Sequence, residues 1–203
     1  MQAQIQRQYN NYTPEEYLAF EEQTEYRNEY HDGEIITMTG ATFNHNRIVG
    51  NVFAALNFHF KNQENYEVAM SDLKVWILQT QRFLYPDVMV IAGQPEYYEN
   101  RKDAITNPMM IVEILSKSTQ DYDKGTKFEH YRSLPSFKEY LLFSQYEYLI
   151  EQYTKISDYE WRISYQKNSD AIVEFVSFPF KMSMVDIYNK VNFNNTFANY
   201  PTN

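Results

Sequence analysis

The chain has 203 residues, 27 acidic against 18 basic side chains for a formal net charge of -9, no cysteine, 5 glycines, and an aromatic share of 17% that includes 19 Tyr and 14 Phe. That length fits one domain with a real core; the missing cysteines exclude thiol catalysis, disulfides and thiolate zinc sites, and the acidic balance argues against polyanion binding spread over the whole surface. Five glycines build no phosphate-binding glycine loop, and neither a signal core over Met1–Arg7 nor a run near the roughly 18 apolar residues of a membrane span is present, so a soluble, cytoplasmic protein is expected.

In chain order, Thr13 as cap, Pro14 at the first helical position and Glu16 completing a capping box predict a helix running to about Glu22. Arg27–His31, Asp32-Gly33 and Glu34–Met38 predict a hairpin, because Asp-Gly supplies the positive φ of a tight turn. Ile48, Val49, Val52, Phe53, Leu56 and Phe60 recur at helical spacing and predict a core helix from Asn46 to about Phe60. Tyr66–Leu78 and Phe83–Ala92 read as an antiparallel strand pair joined at Gln79–Gln81, and the polar stretch Gly93–Asn107 as a loop.

Met109–Leu115 is short and almost continuously apolar, the pattern of a central strand covered on both faces. Ser118 or Thr119 then introduces a helix from about Tyr122 to Ser133, stopped by Pro135, and Glu139–Phe143 closes a strand–helix–strand crossover, expected to be right-handed. Glu147–Tyr153, Glu160–Tyr165 and Ala171–Val176 read as Tyr-rich antiparallel strands. Residues 1–192 are expected to form one domain and 193–203, with Asn194, Asn195 and Asn199, a flexible tail.

Two strands carry a carboxylate that burial would penalise by several kcal/mol unless it is paired, hydrogen-bonded or metal-bound. Asp87 follows Pro86 at the mouth of a strand, where it is either a turn aspartate in solvent or a group held at the sheet's end. Glu113 sits between four apolar residues and two more, so it marks either a frayed strand end or a buried ligand. Together, as hard oxygen donors, they suit Mg²⁺ or Mn²⁺. Asp123, Lys127 and Tyr131, spaced four apart, share one face of the following helix. Lys127 is either an ion-pair partner of Asp123 on a solvated face or an ammonium leaning into the site, where it would orient an attacking water. Glu29 or Glu34 is a candidate third carboxylate, Glu29 being preferred because Glu34 sits at the turn edge. His45, read as standing just before the core helix, either faces a phosphate or substrate or serves to cap and pack.

These pieces resemble the PD-(D/E)XK, restriction-endonuclease-like nucleases and, within them, the Uma-two family. The resemblance runs through Tyr12–Tyr17, Glu29 to Glu34, His45, Tyr85-Pro86-Asp87-Val88, Val112-Glu113-Ile114-Leu115-Ser116, Ser118-Thr119, Tyr122–Gly125, Lys127, Tyr131 and Lys138–Leu141. In order, they span about three quarters of the chain. The resemblance implies an α/β (α+β) fold: a mixed central sheet flanked by helices, with additional antiparallel C-terminal strands. It implies metal-dependent hydrolysis of DNA, with Asp87, Glu113 and Glu29 as metal ligands and with Ser116, His45 and Asp123 as supporting or substrate-binding groups. Lys127 stands in for the lysine that the superfamily more often carries two residues after the glutamate, where this chain has Leu115. The competing expectation is a catalytically silent nuclease fold acting as a DNA-binding or accessory subunit; a hydrolase of another phosphoester would share the metal site. A homodimer is also expected, from the Tyr-rich strand edges after Tyr140.

Overall fold

The computed structural model describes residues 7–9, 11–38 and 40–194, so most of the expected tail over 193–203 lies outside the described residues. The elements run β1 (Arg7–Tyr9), α1 (Pro14–Glu21), β2 (Asn28–His31), β3 (Glu34–Thr37), α2 (Phe43–Phe60), β4 (Tyr66–Met70), β5 (Lys74–Ile77), β6 (Arg82–Leu84), β7 (Val88–Ala92), β8 (Ala104–Ile105) and β9 (Pro108–Leu115). A helical segment follows, made of α3 (Gln120–Tyr122), a π-helical turn (Asp123–Lys127) and α4 (Phe128–Tyr131). The chain continues through β10 (Glu139–Ser144), β11 (Ile150–Ser157), β12 (Glu160–Gln166), β13 (Ile172–Phe175), β14 (Phe180–Ser183) and α5 (Met184–Ile187).

The capping box at Thr13 and Glu16 forms, and Asp32 and Gly33 take φ of 48° and 95° in the β2–β3 turn, as the sequence predicts. The core helix starts earlier than predicted: Thr42 is its N-cap, with its hydroxyl accepting from the His45 N–H, so His45 lies in the first turn and not before the helix. The expected pair over 66–92 does form, but it is cut in two. β5 and β6 pair in one sheet, ordered β1-β3-β2-β6-β5-β8, while β4 and β7 pair in another, ordered β12-β11-β10-β9-β7-β4. The chain crosses between the sheets at Ser71–Leu73 and at Tyr85–Asp87, where Pro86 donates no ladder hydrogen bond. One expectation is corrected, since the predicted loop contains β8; the antiparallel strand expected over 171–176 forms as β13, paired with β14 in a separate two-stranded sheet, and the short helix α5 follows.

Strand alternation divides β9 between two cores. Met110, Val112 and Ile114 pack with Ile48, Val52 and Leu56 of α2, whose full burial stabilises by about 1.5–3 kcal/mol per side chain. Ile111 and Leu115 pack on the opposite face with Val75 and Leu84 of the first sheet and with Phe128 and Tyr131 of α4. A third cluster, including Tyr17, Tyr30, Trp76 and Phe83, covers the far side of the first sheet with α1. Glu113 shares the parity of Ile111 and Leu115, so it enters the layer between the two sheets.

Candidate active site

β7 and β9 run antiparallel with Val88 opposite Val112, and one further step sets Asp87 opposite Glu113, on the same face. Asp87 is fixed there by the Ile114 N–H, 2.7 Å from its Oδ2, and by His45 Nε2 at 3.1 Å from the same oxygen. Glu113 is buried, so the frayed-end reading does not hold for it. Its Oε1 accepts from Lys127 Nζ at 2.8 Å and from the Tyr131 hydroxyl at 3.2 Å. Among the described residues these contacts all fall on one oxygen of each carboxylate, Oδ2 of Asp87 and Oε1 of Glu113.

Lys127 is buried as well, so it is not part of a solvated face. Its Nζ lies 3.5 Å from Glu29 Oε1 and 3.9 Å from Asp123 Oδ1, and it donates to the Tyr85 carbonyl at 3.2 Å. The π-helical turn spans Asp123–Lys127, so both of these site residues belong to it. Such turns recur at functional sites. No sequence pattern announces one, so the sequence predicts a regular helix there.

Glu29, and not Glu34, faces Lys127 from β2. Both of its oxygens are engaged: Oε1 by the Tyr85 N–H at 3.2 Å and by Lys127, Oε2 by His31 Nε2 at 3.0 Å and the Tyr122 hydroxyl at 3.3 Å. His31 and Tyr122, whose rings stack, were missed in the sequence. The signal for His31 was its two-residue spacing from Glu29, which puts both on one strand face. Tyr85 was missed because it acts through its main chain, braced by its hydroxyl donating to Glu21 at 2.7 Å. Ser116 lies outside the cluster; its hydroxyl is within 3.0 Å of Ser118 Oγ and 2.9 Å of Thr119 Oγ1 in the turn leading to α3.

The electrostatics of the cluster are unbalanced, since three carboxylates lie within 3.9 Å of one ammonium and a fourth, Asp87, faces Glu113. Burial raises the Glu113 carboxyl, Lys127 opposes, and Asp87 and Asp123 add to the rise, leaving it well above the ordinary carboxylate range. Burial likewise pushes Asp123 up to about 6, against Lys127 and the Thr119 hydroxyl. Burial lowers the Lys127 ammonium, but Glu113, Glu29 and Asp123 hold it well above the usual lysine value. Glu29 differs: burial raises it, yet Lys127, His31 and the Tyr85 N–H together bring it down to about 2.

A divalent cation would relieve the surplus charge, and the donor chemistry fits one: hard oxygens of Asp87 and Glu113, side by side on paired strands. The set is small, because among the described residues no group of three or more His, Asp and Glu is arranged to hold a metal ion. Mg²⁺ commonly needs only one or two carboxylates and keeps its other ligands as water.

Residues 14–184 match the family model Uma2, described as "Putative restriction endonuclease". Two proteins of Synechocystis sp. (strain ATCC 27184 / PCC 6803 / Kazusa) are similar. The uncharacterized protein sll1609 is 40% identical over 163 residues, 80% of this chain and 92% of that protein; the uncharacterized protein slr1290 is 36% identical over 162 residues, 79% and 83% respectively. The crystal structure of a "putative nuclease belonging to DUF820" from Anabaena variabilis superposes with a TM-score of 0.71 at 21% identity, over 87% of this chain and 97% of that one, and so shares the fold.

Proposed function

The chain belongs to the Uma2 family, and from that membership and the overcharged carboxylate cluster we propose that it is a Mg²⁺- or Mn²⁺-dependent endonuclease hydrolysing DNA phosphodiester bonds. The observation that carries the reading is the burial of Glu113 and Asp123 beside Asp87 with one ammonium among them, a charge surplus that a structural ion pair does not need. Asp87 and Glu113 would hold the ion. Such an ion, when bound, polarises a phosphoryl oxygen and acidifies a bound water.

The chain's own groups do the rest. Lys127, kept protonated by the carboxylates around it, positions the attacking water and offsets the negative charge that grows on the phosphate. Glu29, with both oxygens already engaged, holds that ammonium in place and contributes no ligand. His45 holds Asp87, and Asp123 adds negative charge beside Lys127. The competing reading is a silent nuclease fold acting as a DNA-binding accessory subunit; it is favoured by the full set of protein acceptors around Lys127.

Incubation of plasmid DNA with Mg²⁺ or Mn²⁺ separates the two. Wild-type protein is expected to nick and linearise the plasmid, while Asp87→Ala and Lys127→Ala prepared in parallel are not. Equal cleavage by all three proteins, or none by the wild type, contradicts the proposal.

A further inference from the structure

The face of β2 that carries Glu29 also carries His31, and β6 brings a cation to it. His31 stands opposite Arg82 in the antiparallel β2–β6 pair, so the two side chains leave the sheet on one face with Cβ atoms about 5 Å apart. Leu84, two residues on from Arg82 and therefore on the same face, packs with Phe128 and Tyr131, so this face looks toward α4. The α4 residue His130 lies beside the pair: burial, Arg82 and His31 push its ring down to about 4, while Glu29 opposes. Tyr122 joins the group with its ring stacked on His31 and its hydroxyl 3.1 Å from His31 Nε2.

The polar atoms of Arg82 and His130 are left open. Nε of Arg82 and Nε2 of His130 are buried without a hydrogen-bond partner, and so is the Thr80 hydroxyl two residues before Arg82. Among the described residues, no carboxylate forms an ion pair with Arg82. The two nearby ones are engaged elsewhere, Glu29 by Lys127, His31, the Tyr122 hydroxyl and the Tyr85 N–H, and Glu129 of α4 by Arg132. A half-buried guanidinium costs free energy unless an anion meets it, and this one forgoes a counter-ion in a chain with 27 acidic residues. Its anion must come from outside the chain.

We propose that Arg82, His130 and His31 form a binding site for a phosphate group. A guanidinium presents paired N–H donors that match two phosphate oxygens, and His130, with its proton on Nε2, supplies a further donor. Arg82 and His130 are both half-buried, so solvent reaches them while their surroundings strengthen the attraction. A bound phosphate also cancels the repulsion between Arg82 and His130. The site lies on the far side of Glu29 from Lys127, apart from the Asp87 and Glu113 pair, and it goes beyond the endonuclease reading without depending on cleavage. Its phosphate has three sources: the free ion, the end of a DNA strand, or a phosphodiester within one.

Calorimetric titration of the full chain in EDTA tests this with inorganic phosphate, with a strand of about 12 nucleotides bearing a 5′-phosphate, and with the same strand bearing a 5′-hydroxyl. Wild-type protein is expected to bind, Arg82→Gln to bind about tenfold more weakly, and Arg82→Lys, which keeps the charge without the fork, to fall between them. Arg162→Gln, on the exposed edge strand β12 of the other sheet, should match the wild type. Tighter binding of the 5′-phosphate strand than of its hydroxyl counterpart assigns a strand end; equal binding of both, weakened in Arg82→Gln, assigns an internal phosphodiester; binding of inorganic phosphate alone assigns the free ion. No binding of any probe by the wild type overturns the proposal. So does unaltered binding in Arg82→Gln or, where that variant does not fold, in His130→Gln. These titrations read no cleavage, so their failure leaves the endonuclease reading standing, and a protein that cuts no DNA still binds phosphate here.

Discussion

Glu113 on β9 and Glu139 on β10 are both buried glutamates on neighbouring strands of one sheet, and their surroundings differ in kind. Glu139 accepts from the Val176 N–H at 2.9 Å, the Ser177 N–H at 2.8 Å, the Ser177 hydroxyl at 2.6 Å and Gln152 Nε2 at 2.6 Å, all neutral donors. It ties the β13–β14 turn to the central sheet. Glu113 instead shares a lysine with two other carboxylates and faces a fourth, Asp87. A carboxylate kept only for structure is solved as Glu139 is, with donors and no competing charge. The Glu113 region instead gathers four carboxylates with a single lysine among them, the arrangement on which the proposed cation site rests.

Substitution separates the two regions most sharply. Glu139→Ala strands the Val176 and Ser177 N–H groups and should lower unfolding stability by roughly 4 kcal/mol, while folded protein cleaves normally. Glu113→Gln relieves repulsion and should stay folded yet lose metal-dependent cleavage. Urea unfolding together with a plasmid assay reads both; a Glu113→Gln protein as unstable as Glu139→Ala and still active would erase the distinction.

A smaller effect appears with pH. Asp123 is raised from 3.8 to about 6, so between those values the folded protein keeps a proton that the unfolded chain has released, and stability falls as pH rises through that window. Asp123→Asn removes this dependence. Relative to wild type in the absence of divalent ions, it should gain about 3 kcal/mol on going from below pH 4 to pH 7.5. His130, which burial holds down to about 4, acts in the opposite sense and is common to both proteins, so it cancels in the difference. Parallel stability profiles for wild type and variant would show that Asp123 carries no such surplus.

The parts legible in the sequence are those with local causes. The capping box, the Asp-Gly turn, the buried β9 and the four-residue spacing that brings Lys127 and Tyr131 to Glu113 follow from neighbours in the chain. The division of the 66–92 hairpin between two sheets was illegible, because β4 still pairs β7 and β5 still pairs β6. Only packing against β9 on one side and β2 on the other separates the halves. That division is what sets Tyr85-Pro86-Asp87 between Glu29 and Glu113. The preference for Glu29 over Glu34 follows from its place before Tyr30 and away from the turn edge, and the sequence carries no sign that His31, Tyr122 and the Tyr85 N–H occupy its oxygens.

The central claim is that the Glu113 region, and not every buried carboxylate of the sheet, holds a divalent cation. Calorimetric titration of the full chain with Mn²⁺ tests it most directly. The account predicts a binding isotherm for wild type and for Glu139→Gln, abolished in Asp87→Ala and in Glu113→Gln. A flat titration of the wild type, or equal binding by all four proteins, would contradict it.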